Sequence, residues 1–227
     1  MNRFLLVLLI VLVAIGFAVN FFYQSFFTLF FVLVSTVLCV LVGFSFVVLS
    51  LVKKDAAEFP FFVEGEQLAR QMHVKVSKFK VTKLMDGAFF SRLDRTLVVG
   101  EACLKFPNEV ILAIIAHELA HSLQTKKIVK LFLQFMILPA AATFLLLLLL
   151  DPLMQNVAGL FFSLVYFPFA LHKINWALEF DADKTAVKFV GQNSLEQALL
   201  LASGSKVNRA TLTHPSPAER IRRSKSY

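Results

Sequence analysis

The chain has 227 residues, 58% of them hydrophobic and only 17% charged, against about 45–50% and 25% in soluble domains. Its 26 phenylalanines and other apolar residues gather in runs, which points to lipid rather than an oversized core and leaves room for one modest globular domain. Two cysteines exclude a disulfide framework. The net charge of +8 lies on Lys and Arg beside the apolar runs, without interleaved stacking aromatics, and excludes a nucleic-acid partner.

Four runs carry the hydropathy. Phe4–Val19, extendable to Tyr23, and Phe26–Val52 form a first expected hairpin that Lys53-Lys54 ends. Leu131–Leu150, interrupted by Pro139, and the shorter Val157–Leu171, which contains Pro168, form a second across the Asp151–Asn156 turn. A helix crosses a bilayer with about 20 apolar residues. Arg3, Lys53-Lys54, Lys126-Lys127-Lys130 and Lys173 would then flank one side, and the positive-inside rule makes that side cytosolic.

Between and after the hairpins, Glu64–Met72 resembles a short amphipathic helix. Val74–Val81 alternates like a strand, and Thr96–Val99 is a β-branched run suited to another. Pro107-Asn108-Glu109 opens a predicted helix over Val110–Thr125, and Asn175–Val190 and Ser194–Leu201 are two further helices. The tail after Gly204 is polar and basic, with a frayed tip. His73 and Cys103 read as structural residues. The expected organisation is a transmembrane hairpin over 1–54, a first catalytic segment over 55–130, a second hairpin over 131–171 and a second catalytic segment over 172–227.

The chemistry lies in His117-Glu118-Leu119-Ala120-His121. Residues i and i+4 share a helix face, so His117 and His121 can supply two zinc ligands while Glu118 reaches a water molecule beside them. The helix is otherwise apolar, and a polar face of two histidines and a glutamate needs a use. Glu179-Phe180-Asp181-Ala182-Asp183 repeats the spacing on a later helix. Glu179 can complete a His₂Glu set, and Asp183 can accept the free ring N–H of a ligating histidine. By itself that segment reads as a polar helix surface; the upstream motif favours the ligand reading. In the tail, His214 or Arg220 can stabilise an oxyanion, or Arg220 can pair with a carboxylate.

These three motifs in this order, HELAH, EFDAD and THP followed by Arg220, resemble the HtpX-type membrane zinc metalloprotease family, which is related to the CAAX prenyl endopeptidases. The resemblance covers essentially the whole chain and departs from the family in the short stretch between Asp183 and Thr213. It implies an integral membrane α-helical protein with a cytosolic, mainly α, gluzincin-like metalloprotease domain containing a small β-sheet. It further implies one zinc ion per chain on His117, His121 and Glu179, catalysis by Glu118, and support from Asp183, His214 and Arg220. The strand formed by Thr96, Leu97, Val98, Val99 and Gly100 would bind substrate backbone by strand addition. The implied location is a bacterial inner membrane, multi-pass, with the active site on the cytosolic side. The implied role is quality control, with misfolded membrane proteins or unfolded polypeptides as substrates and the bilayer as a partner. A prenyl-protein endopeptidase and a non-catalytic metal-binding scaffold are the alternatives, and no surface stripe defines a homo-oligomer.

Overall fold

The computed structural model describes residues 50–59, 63–147, 154, 157–158, 161–204, 207–211 and 213–227. It divides into two compact units, one of residues 1–49 with 130–172 and the other of residues 50–129 with 173–227. In the second unit a four-stranded mixed sheet comprises β1 (Ala57–Glu58), β2 (Lys78–Thr82), β3 (Ala88–Ser91) and β4 (Thr96–Gly100) in the order β1-β2-β4-β3. β2 runs parallel to β4, and the other two pairings are antiparallel. The helices around it are α1 (Val63–Gln71), α2 (Asn108–Leu123), the end of α5 (Phe167–Val190), α6 (Gln192–Ser203) and α7 (Pro217–Ser224).

β4 is buried at every position because both of its faces are covered. Leu97 and Val99 join Leu68 of α1, Met72 just after it, Ile111, Ile115 and Leu119 of α2, and Leu195 of α6 in the main core. Val98, pointing the other way as strand alternation requires, packs with Val52 and Ala56. α2 is apolar on nearly all sides, with Val110, Ala113 and Ala116 also buried, as a helix must be when sheet and helices surround it. Gly191 joins α5 to α6 at φ 80°, a conformation that disfavours any residue with a Cβ.

The other unit corrects the hydropathy reading. The described part of Leu131–Leu150 falls on the end of α3 (Thr125–Phe132), a π turn over Leu133–Ile137 and the ten residues of α4 (Leu138–Leu147). The described part of Val157–Leu171 includes a second π turn at Phe162–Tyr166 that leads into α5. Each π turn sits just before a proline, Pro139 or Pro168. The wider turn accommodates a ring that would otherwise strike the preceding carbonyls. α5 is long, but Lys173, Glu179, Asp181, Asp183, Lys184 and Lys188 lie along it. Among the described residues no helix is long and apolar enough to cross a membrane.

On that finding the expected integral-membrane fold, the multi-pass inner-membrane location and the role as a membrane-embedded quality-control protease are corrected. Hydropathy sums apolar side chains and does not register where the helix breaks or where its charges begin. The architecture is a mainly helical domain with a small mixed sheet, consistent with a gluzincin-like fold. The runs Phe4–Val19 and Phe26–Val52, apart from the last residues of the latter, lie outside the described residues.

Candidate metal centre

α2 carries the first two candidate ligands, His117 and His121. Pro107 opens it, Glu109 favours its first turn, and it closes at Gln124, whose amide donates to the His121 carbonyl. One turn separates His117 from His121, and their Nε2 atoms lie 3.1 Å apart. α5 delivers the third: Glu179 Oε2 is 3.4 Å from His117 Nε2, and Glu179 Oε1 is 3.3 Å from His121 Nε2. One ligand atom from each residue can be chosen so that all lie within 4.8 Å of one another.

The donor set fits zinc. Ligand bonds of about 2.0–2.1 Å in a tetrahedron place neighbouring ligand atoms roughly 3.3 Å apart, close to the His117–His121 separation and to the approach of each histidine to one or the other Glu179 oxygen. Glu179 Oε2 is buried and takes no hydrogen bond among the described residues, although Arg220 Nη1 lies within ion-pair distance at 3.1 Å. A carboxylate oxygen held in that condition is suited to a cation.

The surrounding charges are interlocked. Asp183, one turn after Glu179 and fully buried, sits 3.0 Å from His117 Nδ1. It also accepts two hydrogen bonds from Arg220, at 2.8 and 2.6 Å. Burial and Arg220 work against a charged His117, but Asp183 and Glu179 outweigh them and push its pKa up to about 9. Burial opposes the charge on Glu179 as well, yet the two histidines and Arg220 hold it well below the usual carboxylate range. Burial also opposes the charge on Asp183, but Arg220 and His117 hold its pKa down. Burial raises the Glu118 carboxyl, which makes it a stronger base when ionised.

The sequence-predicted residues converge unequally. His117, Glu118, Glu179, His214 and Arg220 all line one cleft of about 290 Å³. His121 and Asp183 are not among its lining residues and touch it through His117 and Glu179. His214 is the exposed member, with Nε2 at 3.5 Å from Glu179 Oε1. Its loop is held by Thr213 Oγ1 at Nδ1 and by bonds between Thr211 and the His214 backbone. Arg220 is buried against Asp183 and Glu179, the carboxylate-pairing alternative of the two open to it.

Thr96–Gly100 requires correction as a substrate strand. It is β4, hydrogen-bonded to β2 on one edge and to β3 on the other, so no backbone groups remain for strand addition. Among the described residues the edge strands are β1 and β3, and it is β3 whose approach residues Asp86 and Gly87 and first residue Ala88 line the cleft. Gly100 donates to the Gly87 carbonyl. By antiparallel alternation, the N–H and C=O groups of Ala88 and Phe90 then face away from β4. The AFFS strand is too short for periodicity to announce, and its placement at the edge depends on topology.

Arg92, just after β3, also went unrecognised in the sequence. It donates to the His121 carbonyl and, at 3.4 Å, to Thr125 Oγ1, tying the edge hairpin to the end of the metal helix. Burial lowers its pKa. The far wall of the cleft is apolar and includes Ala113, Ile114, Leu195, Ala198, Leu199 and Ala202.

The chain matches peptidase family M48 over residues 63–227. Among solved structures it is similar to the crystal structure of Ste24p from S. mikatae, at 18% identity and a TM-score of 0.58. That match covers 93% of this chain and 61% of the other, so the chain spans less than two thirds of that relative's length. The likeness is one of fold. No curated protein matches.

Proposed function

The chain belongs to peptidase family M48, a family of zinc peptidases, and from that premise we propose a one-zinc endopeptidase acting on polypeptides, with the ion held by His117, His121 and Glu179. The observation that carries this reading is the meeting of these three side chains from two helices, with Glu118 beside them in an open cleft. A scaffold that only stored metal would not need that carboxylate. Within the family, the order HELAH, EFDAD, THP supports the HtpX-type branch.

Zinc supplies Lewis acidity toward a water molecule and the scissile carbonyl. Glu118 takes the proton from the water as attack begins and passes it to the leaving nitrogen. His214, exposed at the cleft mouth with Thr213 at Nδ1, is assigned to the developing oxyanion, to which its Nε2–H can donate. Asp183 orients His117, and Arg220 holds Asp183 and Glu179 in place. Substrate backbone pairs along β3 through Ala88 and Phe90, in place of the strand predicted from sequence. The apolar wall receives a nonpolar side chain beside the scissile bond.

The test is cleavage of an unfolded protein by the purified full chain, zinc-loaded and zinc-stripped, beside Glu118→Gln. Glu118→Gln is expected to keep its zinc and lose at least about 10²-fold in cleavage rate. Undiminished cleavage in that variant, with contaminating proteases excluded, would sink the mechanism. His117→Ala and Glu179→Ala are expected to lose zinc. A prenylated carboxyl-terminal peptide run in parallel separates the subtypes, since exclusive cleavage of that peptide would move the chain to the prenyl-protein branch.

A further inference from the structure

His121 is held by side chains that the metal motif does not include. Its Nδ1 lies 3.0 Å from Gln124 Oε1. The Gln124 amide nitrogen donates to the Leu178 carbonyl at 2.7 Å and to Asp181 Oδ2 at 3.1 Å. Lys127 Nζ pairs with the other oxygen of Asp181. Gln124 itself is 4% exposed, at the point where α2 ends and α3 begins.

The orientation of this amide is forced. A peptide carbonyl and a carboxylate can only accept, so the NH₂ group faces Leu178 and Asp181 and the amide oxygen faces the imidazole. An amide oxygen also only accepts. His121 Nδ1 therefore carries the ring proton, and the lone pair sits on Nε2, the atom that approaches His117 and Glu179.

We propose that Gln124 is a positioning residue for the metal, fixing His121 as the Nδ1–H tautomer with its ring turned so that Nε2 faces the ion. Asp181 and Lys127 fix Gln124 in turn. The two histidines thus have unlike supports. His117 rests on the Asp183 carboxylate, whereas His121 rests on a neutral amide. The neutral partner sets the proton's place without adding a fourth carboxylate to a centre that already holds Glu118, Glu179 and Asp183.

This rests on the zinc reading above, and its test reads metal affinity rather than turnover. Gln124→Leu, which cannot accept the Nδ1 proton, is expected to weaken zinc binding by about 10–100-fold in chelator competition. Gln124→Glu keeps an acceptor for Nδ1 but loses both donors to Leu178 and Asp181, and is expected to bind zinc more weakly than the parent. A Leu variant within about threefold of the parent overturns the proposal.

Nitrogen-15 spectra of the histidines in the zinc-loaded parent decide the matter even if the Leu variant fails to fold. Nδ1 protonated and Nε2 metal-bound at His121 is expected; the reverse overturns the proposal. A parent that takes up no zinc fails at the earlier reading. A parent that binds zinc while remaining indifferent to residue 124 fails only here.

Discussion

Gly100 ends β4 against the Met85 carbonyl, where a Cβ would stand 2.1 Å from the Met85 oxygen and 3.0 Å from the Gly87 oxygen. Both obstacles are backbone, and the Gly100 amide is tied to one of them at 2.7 Å. Gly100→Ala is therefore expected to cost at least about 2–3 kcal/mol in urea unfolding, with lost activity following lost fold. Arg220 is the opposite case, a side chain whose loss leaves charge behind. Arg220→Met strips the cation from buried Asp183 and Glu179, and about 3–5 kcal/mol of metal-free stability is expected to go with it. Saturating zinc is expected to restore part of that loss, since a ligand that binds only the folded form stabilises it. At this scale the sequence was informative wherever chemistry and spacing coincide. His117, Glu118 and His121 sit within one helical turn, and Glu179 and Asp183 repeat the spacing. The partner of Arg220 depends on where α7 lies, and no local pattern encodes that. Gln124 is three residues beyond His121, so its shared face was legible from helix geometry, but its role needs Leu178 and Asp181 from a distant element.

Among the elements, α6 and the edge hairpin carry separate predictions. Ala202 is exposed at the cleft wall, so Ala202→Phe narrows the apolar side with little strain on the core. The expected result, read by mass-spectrometric mapping of cleavage sites, is a selective fall in kcat/KM for substrates with large nonpolar residues beside the scissile bond. At the hairpin, Lys53 donates to Ser91 and pairs with Asp94 at 2.6 Å. Slight burial of Asp94 opposes its charge, but the Lys53 and Ser91 bonds outweigh it and bring its pKa down to about 2. The stability this pair contributes is fully present above the ordinary carboxylate value of about 4. It is lost as pH falls through about 2. Asp94→Asn is expected to flatten that part of the acid-unfolding curve, by less than about 1 kcal/mol because the side chain is half exposed. The long helices α2, α5 and α6 were anticipated from periodicity and turn residues, to within a few residues except at the start of α5, which reaches back to Phe167 in the fourth apolar run. α7 was not, although Ser216-Pro217-Ala218-Glu219 carries its signal: Ser216 caps the Glu219 amide, and proline stands at the first helical position. The two-residue β1 and four-residue β3 exist through their pairing, which local sequence cannot supply.

Across the described residues, hydropathy misled and motif order informed. Composition reported where apolar side chains accumulate, but π turns before Pro139 and Pro168 and the charges along α5 decide which helices result. The motifs survived because each is local to one helix, while the fold brings the helices together. His117, Glu118 and His121 precede residue 130, and Glu179, Asp183 and Arg220 follow residue 172, so the residues from 130 to 172 of the other unit separate the halves of the centre. Bringing Glu179 back to the histidines closes a 57-residue stretch, at an entropy cost on the order of 3–4 kcal/mol that the folded scaffold has already met. In chain order His117, Glu118 and His121 of α2 come before every residue of α5 and α7. During synthesis the cluster therefore stays without its third side chain until Glu179 is made, and without the arginine that holds Asp183 and Glu179 until Arg220 follows.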